Sequence, residues 1–282
     1  MRHVTIYELI KKSLKIRKQI VQMIYKAKSG HIGGSLSSVD ILVTLFYRIM
    51  NLDKGDESDK FVLSKGHSVE GYYAILADIG YLPEDELERY CQFGSILIGH
   101  PTNKVKGIEV NTGSLGHGLS VGAGMALAGK RKGKNYRVFV LMGDGELAEG
   151  SVWEAAMFAA NYKLDNLVAI IDRNKLQISG GTEEVMKLEP LRQKWEAFGW
   201  KVFELDGHNY EELIEILTKI PVEKDKPHLI IANTTKGKGV SFIENKAQWH
   251  HKVPTEEEYI KAIQELDMQL QEVEERESKN CL

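Results

Sequence analysis

Hydrophobic positions follow two patterns along this chain: short continuous runs, and longer segments in which they recur at regular intervals. Five short, mostly apolar runs are predicted β-strands, and they occupy residues 60–64, 138–142, 167–172, 200–205 and 228–233. Longer amphipathic or alanine-rich segments lie between them, and their apolar positions recur at helical spacing. A chain in which strands and helices alternate favours an α/β fold, with a parallel sheet and helices on both faces.

The first and last predicted helices have the clearest boundaries. Thr5 and Glu8 form a capping box, and the amphipathic pattern that follows continues to residues 29–30. Residues 255–282 form a charged amphipathic helix. We therefore divide the chain into one domain, residues 1–254, and a C-terminal helical tail, residues 255–282. The apolar stripe of the tail comprises Tyr259, Ile260, Ile263, Leu266 and Leu270.

Composition narrows the class of protein. With 282 residues the chain is long enough to bury a sizeable core, and its formal charge of −3 argues against nucleic acid or an anionic membrane as the main partner. Its two cysteines, Cys91 and Cys281, are far apart and indicate neither a disulfide framework nor a zinc site. No apolar run approaches a membrane span, and the N-terminus lacks the apolar segment of a signal peptide. These features predict a cytoplasmic protein.

The strongest chemical signal lies where two neighbouring predicted strands end. Gly143, Asp144 and Gly145 follow the strand at residues 138–142, and Asn174 follows the strand at residues 167–172. Because a helix joins these parallel strands, both loops lie at the same edge of the sheet. A carboxylate and an amide at one edge can share a divalent cation such as Mg²⁺ or Ca²⁺, which in turn holds a diphosphate. The helix after Gly145 also favours an anion at its N-terminus.

Other strand ends and loops carry basic groups. Lys65 and His67 follow the strand at residues 60–64, and Lys236 follows the last strand. An ammonium and an imidazole at such positions suit a diphosphate or a sugar hydroxyl, although exposed turns of this kind also occur without a function. A predicted loop at residues 29–38 surrounds His31 with glycines, and a second long loop spans residues 92–118.

A family resemblance combines these signals. The run GDGELAEGSVWEAA, followed by IIDRNKLQISG, resembles the thiamine-diphosphate-binding motif of the transketolase family. The resemblance covers residues 5–255 and implies that this chain has the thiamine-diphosphate-binding fold and forms its diphosphate-binding domain. In that family the metal ion, Mg²⁺ or Ca²⁺, is held by the positions that correspond to Asp144, Asn174 and the backbone carbonyl of Leu176.

The resemblance also implies roles for other residues. Four histidines orient substrate hydroxyls and transfer protons, since imidazoles titrate near neutral pH: His31, His67, His100 and His250. Glu149 and Glu154 lie between two active sites and carry proton communication. The positions that contact the cofactor are Lys65, His67, Gly113, Ser114, Leu115, Gly143, Asp144, Gly145, Asn174 and Lys236. The chain departs from the family at His117, where transketolases often have glutamine.

The resemblance further implies an enzyme in two pieces. The domain that binds the aminopyrimidine ring, with the glutamate that protonates it, has no counterpart in residues 1–282. We therefore expect the N-terminal subunit of a split transketolase, active with a separate C-terminal, pyrimidine-binding subunit, in two copies of each. The assembled enzyme transfers a two-carbon ketol unit from a ketose phosphate to an aldose phosphate through a thiamine-diphosphate adduct, as in the pentose phosphate pathway.

Three alternatives stay open at this point. The chain can be half of a related enzyme of the dihydroxyacetone synthase or deoxyxylulose-phosphate synthase type, which keeps the metal motif and changes the substrates. One component of an acyl-transferring dehydrogenase also keeps the GDG turn, but without this set of histidines. A non-catalytic cofactor-binding partner is the third, and the intact Asp144 and Asn174 argue against it.

Overall fold

A computed structural model describes residues 4–280, so Cys281 and the other residues at 1–3 and 281–282 lie outside it. A five-stranded sheet lies at the centre, in the order β1-β2-β3-β7-β6, and every neighbouring pair is parallel. Two very short strands form a separate antiparallel hairpin. The strands are β1 (Lys60–Leu63), β2 (Val138–Gly143), β3 (Leu167–Arg173), β4 (Leu176–Gln177), β5 (Gly180–Gly181), β6 (Lys201–Asp206) and β7 (His228–Asn233).

Helices connect the strands and cover the sheet. The α-helices are α1 (Ile6–Ala27), α2 (Ile32–Ser37), α3 (Val39–Thr44), α4 (Glu70–Asp78), α5 (Gly118–Arg131), α6 (Gly150–Asn161), α7 (Thr182–Val185), α8 (Leu191–Ala197), α9 (Tyr210–Lys219) and α10 (Glu256–Asn280). A π-helical turn, Leu45–Ile49, continues α3. Short 3₁₀ helices are Gly55–Glu57, Gly66–Ser68, Glu84–Arg89, Gly145–Ala148 and Ala247–Trp249.

The two faces of the sheet bury two separate apolar clusters. In β2, Phe139 and Leu141 contribute to one cluster, whereas Val138, Val140 and Met142 contribute to the other. This division follows from the pleat, because successive side chains of a strand point to opposite faces. Helices α1, α3, α4, α9 and α10 cover the first face, and α5, α6 and α8 cover the second. The predicted α/β fold with a parallel sheet and helices on both faces is confirmed.

One predicted loop was wrong. Residues 29–38 contain helix α2, although Gly33 and Gly34 suggested irregular structure. An added Cβ at Gly33 would lie 2.7 Å from the backbone oxygen of Trp249, and one at Gly34 would lie 2.8 Å from Ser68 Oγ. The glycines are therefore required because other parts of the chain approach this helix closely, and they do not mark a flexible segment.

The predicted tail is a helix that packs on the domain. Helix α10 contacts α1, its Ala262 and Leu266 are fully buried, and Tyr259 stacks on Tyr25 with ring centroids 4.2 Å apart. The sequence pattern predicts Ile260 in the buried stripe, but it is 47% exposed, because the buried side of α10 passes through Ala262 and Leu266. The domain boundary between residues 254 and 255 stays a prediction. Within residues 4–280, none of the helices combines the length and the hydropathy that a membrane crossing requires.

Candidate functional site

The carboxyl ends of four neighbouring strands surround one cavity of about 330 Å³. Segments after β1, β2, β3 and β7 contribute to its walls, together with the start of α2, the loop before α5 and the segment after Trp249. Twelve of the residues selected from the sequence line this cavity: His31, Lys65, His67, Gly113, Leu115, Gly143, Asp144, Gly145, Asn174, Leu176, Lys236 and His250.

Asp144 is a buried carboxylate at the wall of the cavity, with 2% of its surface exposed. Its Oδ1 accepts a hydrogen bond from Gly145 N at 2.8 Å, and its Oδ2 accepts from Lys175 N at 2.6 Å and from Arg173 Nη1 at 3.2 Å. Burial and the neighbouring charge of Asp172 nevertheless raise the pKa of Asp144. A carboxylate in this position is stabilised further by an additional cation.

Asn174 and Leu176 place two more oxygen atoms on the same wall. Lys175 adopts a left-handed conformation with φ of 65°, and this turn directs its amide to Asp144. Asn174 Oδ1 accepts from Leu176 N at 3.1 Å, and the Leu176 carbonyl accepts from Lys236 Nζ at 3.3 Å. Carboxylate, amide and carbonyl oxygens are the donors that Mg²⁺ and Ca²⁺ prefer. The residues present therefore fit such a cation.

The candidate ligands of the cation are oxygen atoms, and one of them belongs to a carboxylate. Among residues 4–280, no group of three or more histidine, cysteine, aspartate or glutamate side chains is arranged to hold a metal ion. The set formed by Asp144, Asn174 and Leu176 contains a single carboxylate, so it is not a cluster of that kind. The cavity is suited to a hard cation bound mainly by neutral oxygens.

Lys65 is neutralised by the protein itself. Its ammonium is buried, donates to the Gly34 carbonyl at 2.9 Å and forms an ion pair with Asp172. Ser37 Oγ donates to Asp172 at 2.6 Å, and Thr234 donates to its other oxygen. Burial would raise the pKa of Asp172, but the charge of Lys65 and the hydrogen bonds from Lys65, Ser37 and Thr234 together lower it. Lys65 lines the cavity, yet most of its charge is matched by Asp172.

Lys236 has a different environment. It is 1% exposed, and its Nζ lies 3.3 Å from the Leu176 carbonyl and 3.1 Å from His250 Nδ1, two neutral groups. Burial and the charge of Lys65 lower the pKa of Lys236 to about 8. A buried ammonium with neutral partners is a favourable contact for an anionic ligand.

The predicted histidines form a cluster. The ring centroid of His31 lies 5.0 Å from that of His67, 5.6 Å from that of His250 and 6.5 Å from that of His100. His251, to which no role was given, lies nearer still, at 4.4 Å from His31. Spacing in sequence alone does not reveal this proximity, because the five rings come from four separate segments.

The protonation of these histidines differs from what their ordinary pKa suggests. Burial and nearby His251 lower the pKa of His31 to about 4, and burial and Lys236 lower that of His250 to about 3. Burial and Lys65 shift the pKa of His67 in the same direction. These three imidazoles are therefore neutral at pH 7, and each offers one hydrogen-bond donor and one acceptor.

The loop before α5 is held against His100. Gly113 has φ of 139°, and a Cβ there would lie 2.6 Å from His100 Cδ2, so only glycine fits this close approach. Tyr73 Oη donates to the His100 carbonyl at 2.9 Å and fixes the other side of that residue. His100 is not among the residues that line the cavity, and its ring centroid lies 6.5 Å from that of His31.

Some candidates lie away from the cavity in the described part of the chain. Ser114 is exposed, and so are Glu149 and Glu154. Glu149 immediately precedes α6 and packs against Gly116, while Glu154 lies within that helix. His117 is also exposed, at the start of α5. The roles that the resemblance implies for Ser114, Glu149 and Glu154 stay predictions.

Glu146 is a site residue that the sequence pattern did not reveal. It lines the cavity and is 2% exposed, and its carboxyl group accepts from Gly143 N at 3.0 Å, from Gly116 N at 2.9 Å and from Ser64 Oγ. Burial raises its pKa. Glu146 thus links the ends of β1 and β2 to the loop before α5. The one feature of the sequence that could have indicated Glu146 is its position directly after Gly143, Asp144 and Gly145.

Glu70 and Asp172 were missed for a similar reason. Glu70 is fully buried, and it accepts from His31 N at 3.0 Å, from Ser35 Oγ at 2.5 Å and from Tyr90 Oη at 2.9 Å. Asp172 was assigned only as the end of a strand. Buried carboxylates that organise a site have no distinctive sequence pattern, because their partners are backbone amides, hydroxyls and an ammonium group on distant segments.

The sequence is similar to known proteins over nearly its whole length. Residues 10–273 match the family described as transketolase, thiamine diphosphate binding domain. The chain is 54% identical over 266 residues to an apulose-4-phosphate transketolase subunit of Phocaeicola vulgatus, and the match covers 93% of this chain and 95% of that protein. It is 43% identical over 257 residues to a 6-deoxy-6-sulfo-D-fructose transketolase subunit of Clostridium sp., with 89% of this chain and 94% of that protein covered.

A solved structure has the same fold. Transketolase from Leishmania mexicana superposes with a TM-score of 0.83 at 29% sequence identity, and the alignment covers 96% of this chain. It covers 46% of the Leishmania chain, so the present chain spans about half the length of that protein.

Proposed function

The chain belongs to the transketolase family, and we therefore propose that it is the diphosphate-binding subunit of a two-subunit transketolase. With its partner it transfers a two-carbon ketol unit from a ketose phosphate to an aldose phosphate. One observation carries the proposal: Asp144, Asn174 and Leu176 line the same cavity as the buried ammonium of Lys236. Oxygen atoms that can bind a metal ion thus lie beside an ammonium group that can bind a phosphate. A diphosphate bound through a metal ion requires both.

We assign the metal ion to the oxygen atoms of Asp144, Asn174 and Leu176, with Mg²⁺ or Ca²⁺ as the ion. Lys236 and His67 then contact the diphosphate. Lys65 also contacts it, through the N–H of its ammonium that Gly34 and Asp172 do not use. Gly143, Gly145 and Gly113 allow the backbone to approach the cofactor closely. Bound thiamine diphosphate supplies the electron sink for breaking the carbon–carbon bond.

The histidine cluster binds the sugar. His31, His67 and His250 are neutral at pH 7 because their pKa values are lowered. Neutral rings of this kind donate to one substrate hydroxyl and accept from another, and each can relay a proton between its two nitrogens. His100, whose ring centroid lies 6.5 Å from that of His31, contacts the far end of the substrate.

The partner is a C-terminal subunit with the pyrimidine-binding domain, and two copies of each chain form the assembly. The separate partner chain is supported by the relative in Phocaeicola vulgatus, of which this chain covers 95% and which is named as one subunit of a transketolase. Glu149 and Glu154 are exposed and thus accessible to a neighbouring chain, where we place their role in proton communication. A cytoplasmic location stays a prediction.

The donor sugar is proposed from the relatives. The protein with 54% identity is called an apulose-4-phosphate transketolase subunit, and the one with 43% identity is called a 6-deoxy-6-sulfo-D-fructose transketolase subunit. Both names describe ketoses with an anionic group. We propose apulose 4-phosphate as the first donor to test, because the identity is higher over nearly the whole length of both chains.

The test mixes the purified chain with a candidate C-terminal subunit, thiamine diphosphate and Mg²⁺. The donors are apulose 4-phosphate, 6-deoxy-6-sulfofructose and xylulose 5-phosphate, each with an aldose phosphate as acceptor. We expect ketol transfer with at least one donor, and none when either subunit is omitted. Turnover only with pyruvate as donor would instead support the deoxyxylulose-phosphate synthase type, and turnover only with formaldehyde as acceptor would support the dihydroxyacetone synthase type. Cofactor binding without any turnover would support a non-catalytic partner.

A further inference from the structure

A buried charged cluster lies outside the cavity, between α1, α3 and the segment after β6. Asp40 is its centre: both of its oxygens accept from the Arg17 guanidinium, at 2.9 and 2.7 Å. Tyr210 Oη donates to Oδ1 at 2.6 Å, and His208 Nδ1 lies 2.7 Å from Oδ2. We call these four residues the Asp40 cluster. Arg17 and Asp40 are 3% and 4% exposed, so the ion pair is shielded from water.

The Asp40 cluster is bonded to both sides of Lys236. Thr235 N, one residue before Lys236, donates to His208 Nε2 at 2.8 Å. The Lys238 carbonyl, two residues after it, accepts from Arg17 Nε at 2.9 Å. The backbone of the segment that contains Lys236 is thus hydrogen-bonded to a group of side chains that does not line the cavity.

The hydrogen bonds determine the tautomer of His208. A backbone N–H can only donate, so Nε2 of His208 has to be the unprotonated, accepting nitrogen. The proton then lies on Nδ1, which faces Asp40. Burial would raise the pKa of Asp40, but Arg17 and His208 hold it well below its usual range, so Asp40 is an ionised acceptor. A carboxylate that orients one imidazole nitrogen in this way fixes the function of the other.

Further contacts hold the segment on both sides of Lys236. Gly237 N donates to the Gly33 carbonyl at 2.9 Å, and Asn245 N donates to the Lys236 carbonyl at 2.9 Å. Both contacts lie on the C-terminal side of the Lys236 Cα. On the N-terminal side, after β7 ends at Asn233, Thr234 N donates to the Arg173 carbonyl at 3.2 Å and Thr234 Oγ1 donates to Asp172. The next bond, from Thr235 N to His208, connects the segment to the Asp40 cluster.

We propose that His208 is a positioning residue for the diphosphate site: Asp40 fixes its tautomer, its Nε2 holds the amide of Thr235, and the ammonium of Lys236 is thereby placed at the cavity. This role rests on the proposed function, because the position of Lys236 matters to catalysis only when the cavity receives a diphosphate. His208 does not contact the cofactor. It acts through the backbone of the next segment.

A pair of substitutions separates the two hydrogen bonds of His208. In His208→Gln, the side-chain oxygen reaches the place of Nε2 and keeps an acceptor for Thr235. In His208→Asn, the shorter amide keeps a donor for Asp40 and leaves the amide of Thr235 without its acceptor. Both variants lose the ring, so a purely structural role predicts similar losses of melting temperature and similar affinities for the cofactor.

The measurement is the affinity of the assembled two-subunit complex for thiamine diphosphate in Mg²⁺, by isothermal titration calorimetry. We expect His208→Asn to bind about tenfold more weakly than the wild type, or about 1.4 kcal/mol, and His208→Gln to bind within about twofold of it. Equal affinities of the two variants, whether both unchanged or both weakened, would overturn the proposal.

A double-mutant cycle tests whether the effect passes through Lys236. With Lys236→Ala as background, His208→Asn is expected to cause no further loss of affinity. An additional tenfold loss in that background would show that His208 acts by another route and would refute the proposal. Failure of the wild-type complex to bind thiamine diphosphate would count against the proposed function itself, which distinguishes the two failures.

Discussion

At the scale of single residues, the site depends on carboxylates that the fold has buried. Asp144 and Glu146 follow β2 within three positions and both have raised pKa values because of burial, yet their partners differ. Asp144 lies beside two other oxygen donors, whereas Glu146 accepts hydrogen bonds from backbone amides at the end of β2 and in the loop before α5, and from a serine hydroxyl. The first arrangement suits cation binding, and the second connects the segments that form the cavity.

Removing the carboxylate of Asp144 tests its part in metal binding. In the assembled complex, Asp144→Ala should weaken thiamine diphosphate binding in Mg²⁺ at least a hundredfold, about 2.7 kcal/mol, because the metal loses its one charged ligand. Calorimetry with and without Mg²⁺ measures this, and the variant should lose the Mg²⁺ dependence. Asp85→Ala, at an exposed position, is the control and should bind as the wild type does. Retained Mg²⁺-dependent binding in Asp144→Ala would contradict the assignment.

Glu146→Gln tests the connecting role of the second carboxylate. In glutamine one of the two side-chain oxygens is replaced by an N–H₂ group, which cannot accept a hydrogen bond. That group then faces either Gly143 N, or Gly116 N and Ser64 Oγ, all of which donate to Glu146. We expect the free energy of unfolding in urea to fall by about 2 kcal/mol, the cost of an unsatisfied buried group. Glu154→Gln, on exposed α6 surface, should change it by less than about 0.5 kcal/mol. Equal effects of the two substitutions would argue against the connecting role.

At the scale of elements, the strands were predictable and the details around them were not. The apolar run at residues 138–142 is buried on both faces of a parallel sheet, and such strands are read from composition alone. The loop containing Gly33 and Gly34 was assigned wrongly, because glycine permits both a flexible turn and a closely packed helix. The sequence pattern does not separate these, since the difference lies in what packs against the glycine.

Two helical glycines provide a matched test of this distinction. In Gly33→Ala the new methyl group meets the Trp249 carbonyl at 2.7 Å, whereas at Gly124 in α5 nothing lies within 4 Å of the added Cβ. We expect Gly33→Ala to lower the free energy of unfolding by about 2 kcal/mol through overpacking. Gly124→Ala should raise it by about 0.5–1 kcal/mol through helix propensity. Urea unfolding measures both, and a stable Gly33→Ala protein would refute the close-packing explanation.

The start of β7 carries a pH-dependent contribution to stability. His228 is fully buried, its Nε2 accepts from Val222 N at 3.1 Å and from Glu223 N at 3.4 Å, and burial lowers its pKa to about 4. An unfolded histidine has a pKa of about 6.5, so acid protonates the unfolded chain first. The stabilisation is therefore complete above pH 6.5 and is lost as the pH falls towards 4.

His228→Gln removes this titration while it keeps an acceptor at the place of Nε2. Between pH 7 and pH 4.5, the free energy of unfolding of the variant should fall by about 2 kcal/mol less than that of the wild type. Urea unfolding at a series of pH values provides the measurement, and the other buried histidines contribute equally to both proteins. If the free energies of unfolding of the two proteins fell equally with pH, His228 would not be the source of the pH dependence.

At the scale of the whole molecule, the sequence predicted the fold class and most of the cavity wall. Strand ends of a parallel sheet meet at one edge, so Asp144, Asn174, Lys65 and Lys236 were predicted to converge from their positions in the chain alone. The proximity of His251 to His31 depends on long connections, and no local pattern encodes it. The partners of Glu146 and the Asp40 cluster were missed because buried polar contacts form between distant segments.

The central claim is that Asp144, Asn174 and Leu176 jointly hold the cation that binds the diphosphate. A crystal structure of the two-subunit complex with thiamine diphosphate and Mg²⁺ measures this directly. We predict that a carboxylate oxygen of Asp144, the Asn174 Oδ1 and the Leu176 carbonyl oxygen each lie at about 2.1 Å from the ion, with Lys236 Nζ at hydrogen-bond distance from the diphosphate. An ion bound elsewhere, with Asp144 still paired only with Arg173 and its backbone donors, would contradict the account.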